Sequence, residues 1–341
     1  MAEKTYIVTG ATGFVGNNVI RELISGGASV RVLVRAKTKA DIALKGLNIE
    51  LFFGDVRDKD AIEKLFIGID GREIIFIHTA SMVLIGGTKN QYKTMNDVNC
   101  NGTKNIVEAC LKHKVRLLYV SSVHAITEPP KRRLTVETEN FSALSVVGKY
   151  AKSKATASAL VMDAIKNQGL NAVLVHPSGI TGPNDYSDTH LTQMVVDYME
   201  NRIPAAVNGG YDFVDVRDVA SGIIAAAEKG KAGDCFILSN KFYTVKEMFF
   251  MLHEITGGKN IRSTLPMWLA YFSIPFLMIY FKIRGKRPLY TAYSLYTLKS
   301  NSNFSHEKAT RELGFEPRSL RDSLVDTVAF IKTFNISNNC L

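Results

Sequence analysis

The sequence predicts an α/β fold built on a doubly wound parallel sheet, and three observations carry that expectation. Apolar runs of strand length alternate with amphipathic stretches through the first half of the chain, at Tyr6-Ile7-Val8, Ser29–Val34, Ile49–Phe53, Glu73–Thr79 and Val115–Val120. Glu73 to Thr79 (EIIFIHT) is almost unbroken apolar sequence, as in strands that helices cover on both faces. Between the first strand and the first helix lies a glycine-rich turn, Thr9 to Gly16 (TGATGFVG). Strand and helix alternating in this way call for right-handed crossovers, a Rossmann-type arrangement.

At 341 residues the chain can bury a large core. The expected organisation is a sheet domain over residues 1–184 and a smaller substrate-binding lobe over 185–341, with 213–230 returning to the sheet domain. Cys100, Cys110, Cys235 and Cys340 have neither metal-ligand spacing nor the density of a disulfide scaffold. They read as reduced structural thiols, and no metal site is expected. The first strand starts almost at Met1, which leaves no stretch for a secretory leader and favours a cytoplasmic setting. The net charge of +10 asks for an anionic partner. Its basic residues are dispersed and match no nucleic-acid module, so nucleic acid is not expected. A phosphorylated cofactor and an anionic membrane surface fit better.

The turn at Thr9–Gly16 is where a dinucleotide pyrophosphate binds in such a fold: Gly10 permits the tight turn, Gly13 admits the phosphates to backbone N–H groups, and Gly16 lets the helix pack closely. The expected cradle is Gly10, Thr12, Gly13, Phe14, Val15 and Gly16. Arg35 ends the second strand, with Lys37 and Lys39 beyond it. An acidic residue there would accept the 2′-hydroxyl of NAD(H); an arginine suits a 2′-phosphate by charge and forked hydrogen bonding, which favours NADP(H). Asp55 and Val56 close the third strand, where the carboxylate can accept from the adenine amino group, and Asp58 reads as a helix N-cap. Thr79, Ala80 and Ser81 leave the fourth strand as a small-residue turn with room for the cofactor. His78, beside them, reads as a packed histidine.

A helix is expected from about Tyr92 to His113, with Asn99 and Thr103 four residues apart on one face. Ser121 and Ser122 stand at the carboxyl end of the fifth strand, the edge at which ligands bind. Tyr150-Ala151-Lys152-Ser153-Lys154 then puts a phenol and an ammonium on one face of a helix. A phenol near pKa 10 is about three units too weak an acid to ionise at neutrality, roughly 4 kcal/mol. A neighbouring ammonium and an oxidised nicotinamide favour its phenolate, and a serine can hydrogen-bond the reacting oxygen.

With these residues in hand the chain resembles an extended short-chain dehydrogenase/reductase, of the superfamily that includes the NAD-dependent epimerases and dehydratases. The likeness runs through TGATGFVG, GDVRD, HTAS, NCNGT, YVSS, YAKSK, HPSGITGP at 176–183 and FVDVRDVA at 213–220. It implies that Ser122 orients the substrate oxygen, Tyr150 is the general acid/base, and Lys154 holds the nicotinamide ribose and the tyrosine. It further implies that Pro177, Ser178, Gly179 and Ile180 touch the carboxamide side, that Ser121 lies beside the cofactor, and that Asn99 is a cofactor-side or structural residue. Sugar-nucleotide enzymes of the superfamily usually follow the serine with a Val-Tyr-Gly-like turn. Val123-His124-Ala125-Ile126 is closer to the dihydroflavonol-reductase-like and 3β-hydroxysteroid-dehydrogenase-like branches.

In the second lobe, Asp218 reads as a fold-fixing residue and Thr244–Glu247 as a helix N-cap. Ser263 to Phe281 carries no charge in 19 residues, contains the single tryptophan, and precedes Lys282, Arg284, Lys286 and Arg287. Pro266 and Pro275 favour a hairpin or two short helices over one span. Three readings of this segment stay open: an apolar wall or lid over a hydrophobic substrate, a monotopic element dipping into the inner face of a membrane through 263–287, and a homodimer surface. The activity expected is reversible reduction of a ketone on a bulky steroid-, flavonoid- or isoprenoid-like molecule. A nucleotide-sugar epimerase or dehydratase is the alternative, and a non-catalytic NADP-binding or membrane-scaffold protein is a second one.

Overall fold

The computed structural model describes residues 4–69, 71–129, 133–283 and 290–334. Its strands are β1 (Lys4–Thr9), β2 (Ser29–Val34), β3 (Glu50–Phe53), β4 (Glu73–His78), β5 (Arg116–Val120), β6 (Ala172–Pro177), β7 (Gly179–Thr181), β8 (Ala206–Val207), β9 (Gly210–Asp215), β10 (Cys235–Leu238), β11 (Lys241–Thr244) and β12 (Thr264–Leu265). The helices that frame the sheet and the site are α1 (Phe14–Ser25), α2 (Lys37–Ala43), α3 (Lys59–Glu63), α4 (Lys89–Asn96), α5 (Thr103–His113), α6 (Lys149–Gln168), α7 (His190–Met199), α8 (Val216–Lys229), α9 (Val245–Thr256), α10 (Met267–Ile283), α11 (Ala292–Lys299), α12 (Glu307–Leu313) and α13 (Leu320–Phe334).

Seven strands form one parallel sheet in the order β10-β6-β5-β4-β1-β2-β3. Side chains alternate strictly between its faces. Tyr6 and Val8 join the core under α1 and α8, whereas Ile7 joins the core under α3, α5 and α6; Ile75 and Ile77 part from Phe76 in the same way. Burial on both faces is why these strands read as continuous apolar runs. The chain leaves β1 toward β2 and β3, then returns to place β4 on the other side of β1, so the order switches between β1 and β4. A crevice opens there, at the strands' carboxyl ends.

Val195, Phe249, Leu295, Leu324 and their neighbours form a third core, beneath the smaller lobe. Cys235–Leu238, read with that lobe from the sequence, is instead an edge strand of the main sheet, fully buried beside β6. The polar loop after Glu128 folds back onto this edge: Glu137 Oε1 accepts from Ile237 N at 3.1 Å, and Thr135 bridges Phe304. Pro130, Lys131 and Arg132 in that loop lie outside the described residues, as do Cys340 and the rest of 335–341.

Local expectations hold at several ends. Asp58 caps α3 through Asp60 N and Ala61 N, and Thr244 and Glu247 form a reciprocal capping box. Asp218 accepts from Arg318 N and Nε, both at 2.8 Å, and so ties α8 to the loop before α13. The Asp218→Ala variant, which leaves the Arg318 guanidinium without its carboxylate, is expected to lose about 2–3 kcal/mol in a urea melt. Its kcat should stay within a few-fold of wild type; a large fall in kcat at unchanged stability would move Asp218 into the chemistry.

Candidate active site

The glycine-rich turn and the turn after β4 interpenetrate at the switch point. Gly10 has φ +79°, and a Cβ on it would lie 2.5 Å from Thr79 Oγ1 and 2.7 Å from Ala80 N. A Cβ on Gly16 would overlap the Gly10 carbonyl oxygen and sit 2.7 Å from Thr79 Oγ1. Thr79 answers by donating its hydroxyl to Thr9 O at 2.7 Å. Gly13 is the N-cap of α1; no side chain caps that end, and its first turn carries no acidic residue. The first-turn N–H groups therefore face the crevice as an anion-receptive end. Phe14 is buried and Val15 packs against the sheet core, so these two offer the crevice backbone only.

At the adenosine side Arg35 is exposed just past β2. Asp55 is clasped by Arg57, whose Nε and Nη2 donate to Oδ1 and Oδ2 at 2.9 and 3.1 Å. That guanidinium holds the Asp55 carboxyl below its usual range despite burial, and the charge of Arg35 adds to the effect. Val56 is buried against Gly102. Arg57 escaped the sequence reading; its only signal was a cation two residues beyond the strand-end carboxylate.

The geometry separates the two serines after β5. Ser121 Oγ pairs with Ser158 Oγ at 2.7 Å, inside the protein. Ser122 accepts from His124 N, and its hydroxyl is near enough to the Tyr150 phenol to favour the phenolate. Burial pushes that phenol up to about 12, with the Ser122 hydroxyl working against the rise. Lys154 is buried, donates from Nζ to Val120 O at 2.8 Å, and lies 5.0 Å from the centre of the Tyr119 ring. Burial pushes its ammonium down to about 7. Nζ has three donors, and Val120 takes one.

Asn99 takes the structural one of its two expected roles. It sits in a π-helical turn, Asp97–Gly102, between α4 and α5. Its Oδ1 accepts from Ser81 Oγ (3.2 Å) and Met82 N (2.8 Å); its Nδ2 donates to Met82 O and Ser153 Oγ, both at 3.0 Å. The two acceptor and two donor positions of the amide are thus filled, which leaves none for a cofactor. Thr103, four residues on, keeps its contact with Asn99 through the backbone carbonyl and also meets His78. Thr103 Oγ1 donates to Asn99 O at 2.7 Å and so accepts from His78 Nε2–H, while His78 Nδ1 accepts from Thr9 Oγ1 at 2.7 Å. Burial pushes the His78 pKa down to about 3, consistent with this neutral tautomer.

The segment after β6 is pinned to the smaller lobe. Ser178 Oγ donates to Asp212 Oδ1 at 2.5 Å, Ser178 N donates to Leu238 O at 3.1 Å, and Gly179 and Ile180 continue as β7 beside β9. Burial pushes the Asp212 carboxyl up to about 6. Tyr293 on α11 was invisible in the sequence, 143 residues from Tyr150. Its ring covers Gly148, the N-cap of α6, so closely that a Cβ there would collide with it. Its hydroxyl is buried without a hydrogen-bond partner among the described residues, and burial followed by the nearby Tyr150 raises its pKa. Tyr296 stacks on it with ring centres 6.2 Å apart.

The family model for the NAD dependent epimerase/dehydratase family matches residues 6–238. The chain belongs to that family. Over 96% of its length it is 29% identical to sterol demethylase protein B of Methylococcus capsulatus (strain ATCC 33009 / NCIMB 11132 / Bath), covering 98% of that protein. It is 30% identical to a putative dihydroflavonol 4-reductase of Synechocystis sp. (strain ATCC 27184 / PCC 6803 / Kazusa), with 95% and 93% covered. The crystal structure of gox2253 is similar at a TM-score of 0.82 and 32% identity, with 97% and 99% covered.

This epimerase/dehydratase-family protein is an NAD(P)-dependent oxidoreductase of the extended short-chain dehydrogenase/reductase type. Its crevice fits a dinucleotide on its own geometry: a turn that admits no Cβ, a helix end without a side-chain cap, and a buried lysine with open donors. The Gly16→Ala variant places a methyl against a backbone oxygen that no rotamer change can move. It is expected to weaken binding of the reduced cofactor at least tenfold, read by nicotinamide fluorescence, with the far-UV circular dichroism unchanged.

Proposed function

We propose that the protein is an NADP(H)-dependent reductase, reversible as an alcohol dehydrogenase, acting on a ketone or secondary alcohol of a bulky hydrophobic molecule. The observation that carries this reading is Tyr150 one helical turn from buried Lys154, with the Ser122 hydroxyl beside its phenol and Tyr293 and Tyr296 stacked at the start of the same helix. The backbone at Gly10, Thr12, Gly13, Phe14, Val15 and Gly16 holds the pyrophosphate. Arg35, aided by Arg57, takes the 2′-phosphate; Asp55 and Val56 meet the adenine. Thr79, Ala80, Ser81 and Ser121 wall the crevice, and Pro177–Ile180 meet the carboxamide. When bound, the nicotinamide exchanges a hydride with the substrate carbon. Ser122 donates a hydrogen bond to the substrate oxygen, and Tyr150 passes its phenolic proton to that oxygen as the alkoxide forms. Lys154 holds the ribose hydroxyls with its remaining donors and favours the phenolate left behind. Aromatic rings at the start of α6, where a sugar diphosphate would ask for cations, favour a lipophilic substrate. The relatives named for sterol and dihydroflavonol chemistry agree with that class.

Tyr150→Phe is expected to reduce turnover by about 10²–10⁴-fold with the cofactor Kd unchanged, in an NADPH-oxidation assay against steroid, flavonoid and aliphatic ketones. In wild type, reduction needs the protonated phenol and should fall as pH rises through its pKa in the complex; oxidation needs the phenolate and should rise over the same range. Turnover that survives the substitution would sink the mechanism. Arg35→Ser, which removes a charged hydrogen bond of about 1.5–3 kcal/mol, should weaken NADPH about 10- to 100-fold and leave NADH nearly unchanged in parallel titrations. An equal loss for both cofactors would remove the 2′-phosphate role.

A further inference from the structure

The uncharged segment forms one helix, α10, with Pro275 inside it, where a hairpin or two short helices were expected. Met267, Ala270 and Ile274 pack on the core of the smaller lobe. The opposite side is an exposed stripe: Trp268, Tyr271, Phe272, Pro275 and Phe276, at i, i+3, i+4, i+7 and i+8. Trp268, Phe272 and Phe276 are 71, 65 and 63% exposed. Three large rings in one row of a soluble surface call for a partner.

We propose that this stripe docks the protein on the interfacial region of an anionic lipid bilayer, with α10 lying in the membrane plane. Its composition is that of an interfacial element, with aromatic rings and no charge on the face presented. Over its described residues the helix reaches roughly 25 Å at about 1.5 Å per residue, short of the roughly 30 Å hydrocarbon core, and the face with Met267, Ala270 and Ile274 is already packed on protein. No helix among the described residues is long and apolar enough to cross a membrane. Charge selects the lipid. From residue 255 to residue 306 the sequence has no Asp or Glu and seven Lys or Arg, so these 52 residues supply seven of the ten net positive charges. Basic residues near an anionic surface add to the pull of the apolar stripe.

The surface is also coupled to the site. Ser273 and Tyr290 pair their hydroxyls at 2.5 Å just before α11, which packs on α10 and carries Tyr293 against the N-terminus of the catalytic helix. Tyr271, on the stripe, is near enough to Tyr296 to raise its pKa, after burial and Glu128. A lipophilic substrate leaving the bilayer would thus meet the lobe that carries Tyr293 and Tyr296. That delivery role rests on the substrate class proposed above; the docking does not.

Trp268 is the single tryptophan, so its emission reports the stripe directly. Full-length protein mixed with phosphatidylglycerol/phosphatidylcholine vesicles should show a blue shift and quenching by bromine-labelled acyl chains, weaker with phosphatidylcholine alone and weaker in high salt. The double variant Phe272→Ser/Phe276→Ser keeps the probe and should lower vesicle partitioning at least tenfold, with melting temperature and cofactor affinity unchanged. Unshifted emission on anionic vesicles would overturn the proposal. So would a dimer in light scattering that the double variant splits, which would make the stripe a self-association surface. A vesicle result stands whether or not any ketone is turned over, so failure of the substrate assignment is read separately.

Discussion

The close approach of two backbones between β1 and β4 is the constraint on which the site depends. Gly10 and Gly16 let the first turn and α1 settle against Thr79 and Ala80, and Thr79 locks the contact through Thr9 O. From the same strand a continuous hydrogen-bond chain leads to the catalytic helix: Thr9 to His78, His78 to Thr103, Thr103 to Asn99 O, Asn99 to Ser153, and Ser153 Oγ to Tyr150 O at 2.7 Å. The glycine turn and the proposed acid/base are thereby set in one frame. Every link before the last is buried, so a missing partner there would leave an unsatisfied polar group at a cost of about 1–3 kcal/mol. Protonating His78 would break the chain at its first link, because Nδ1 must accept from Thr9; burial keeps the ring neutral.

Electrostatics in the crevice favour one proton arrangement. Burial raises the Tyr150 phenol to about 12 and lowers the Lys154 ammonium to about 7, so both neutral forms gain. A phenol about five units above neutrality costs roughly 7 kcal/mol to ionise, which suits a proton donor. Moving a proton the other way needs positive charge brought close to the oxygen. Lys154 is directed at Val120 O, and Ser122 is the neighbour that stabilises the phenolate here. Proton release from Tyr150 is therefore coupled to whatever draws the ammonium toward it.

What could be read from the sequence was what has a short period. Strands buried on two faces give unbroken apolar runs, the glycines mark one turn, and Tyr150 and Lys154 share a helix face at spacing four. For Asn99 the sequence left a cofactor-side and a structural role open, because only the fold brings Met82 and Ser153 to its amide. Tyr293 has no local signal, since its partner is a glycine on a distant helix. Cys235–Leu238 looked like part of the smaller lobe because strand order is not written in a four-residue apolar run. At α10 the prolines misled. Pro275 removes a hydrogen bond to the Tyr271 carbonyl, yet both residues lie on the exposed face, where solvent can take that acceptor and the inner face still packs.

The two halves of the molecule are held by different forces, and this bears on how the family's scaffold changes substrates. The cofactor half is fixed by polar bonds of defined direction, in which Asn99 and His78 have no spare valence. The smaller lobe meets the start of α6 through ring contacts: Tyr293 over Gly148, Tyr296 on Tyr293, and α10 behind them. Ring contacts are area-dependent and weakly directional, so the pocket side can be reshaped by substitution without disturbing the hydrogen-bonded frame. Ser178 and Asp212 are the exception, a short polar link between the segment after β6 and the smaller lobe. A change of substrate that displaced β9 would act through that link on Ser178, which makes it one path by which the pliant half can alter the rigid one.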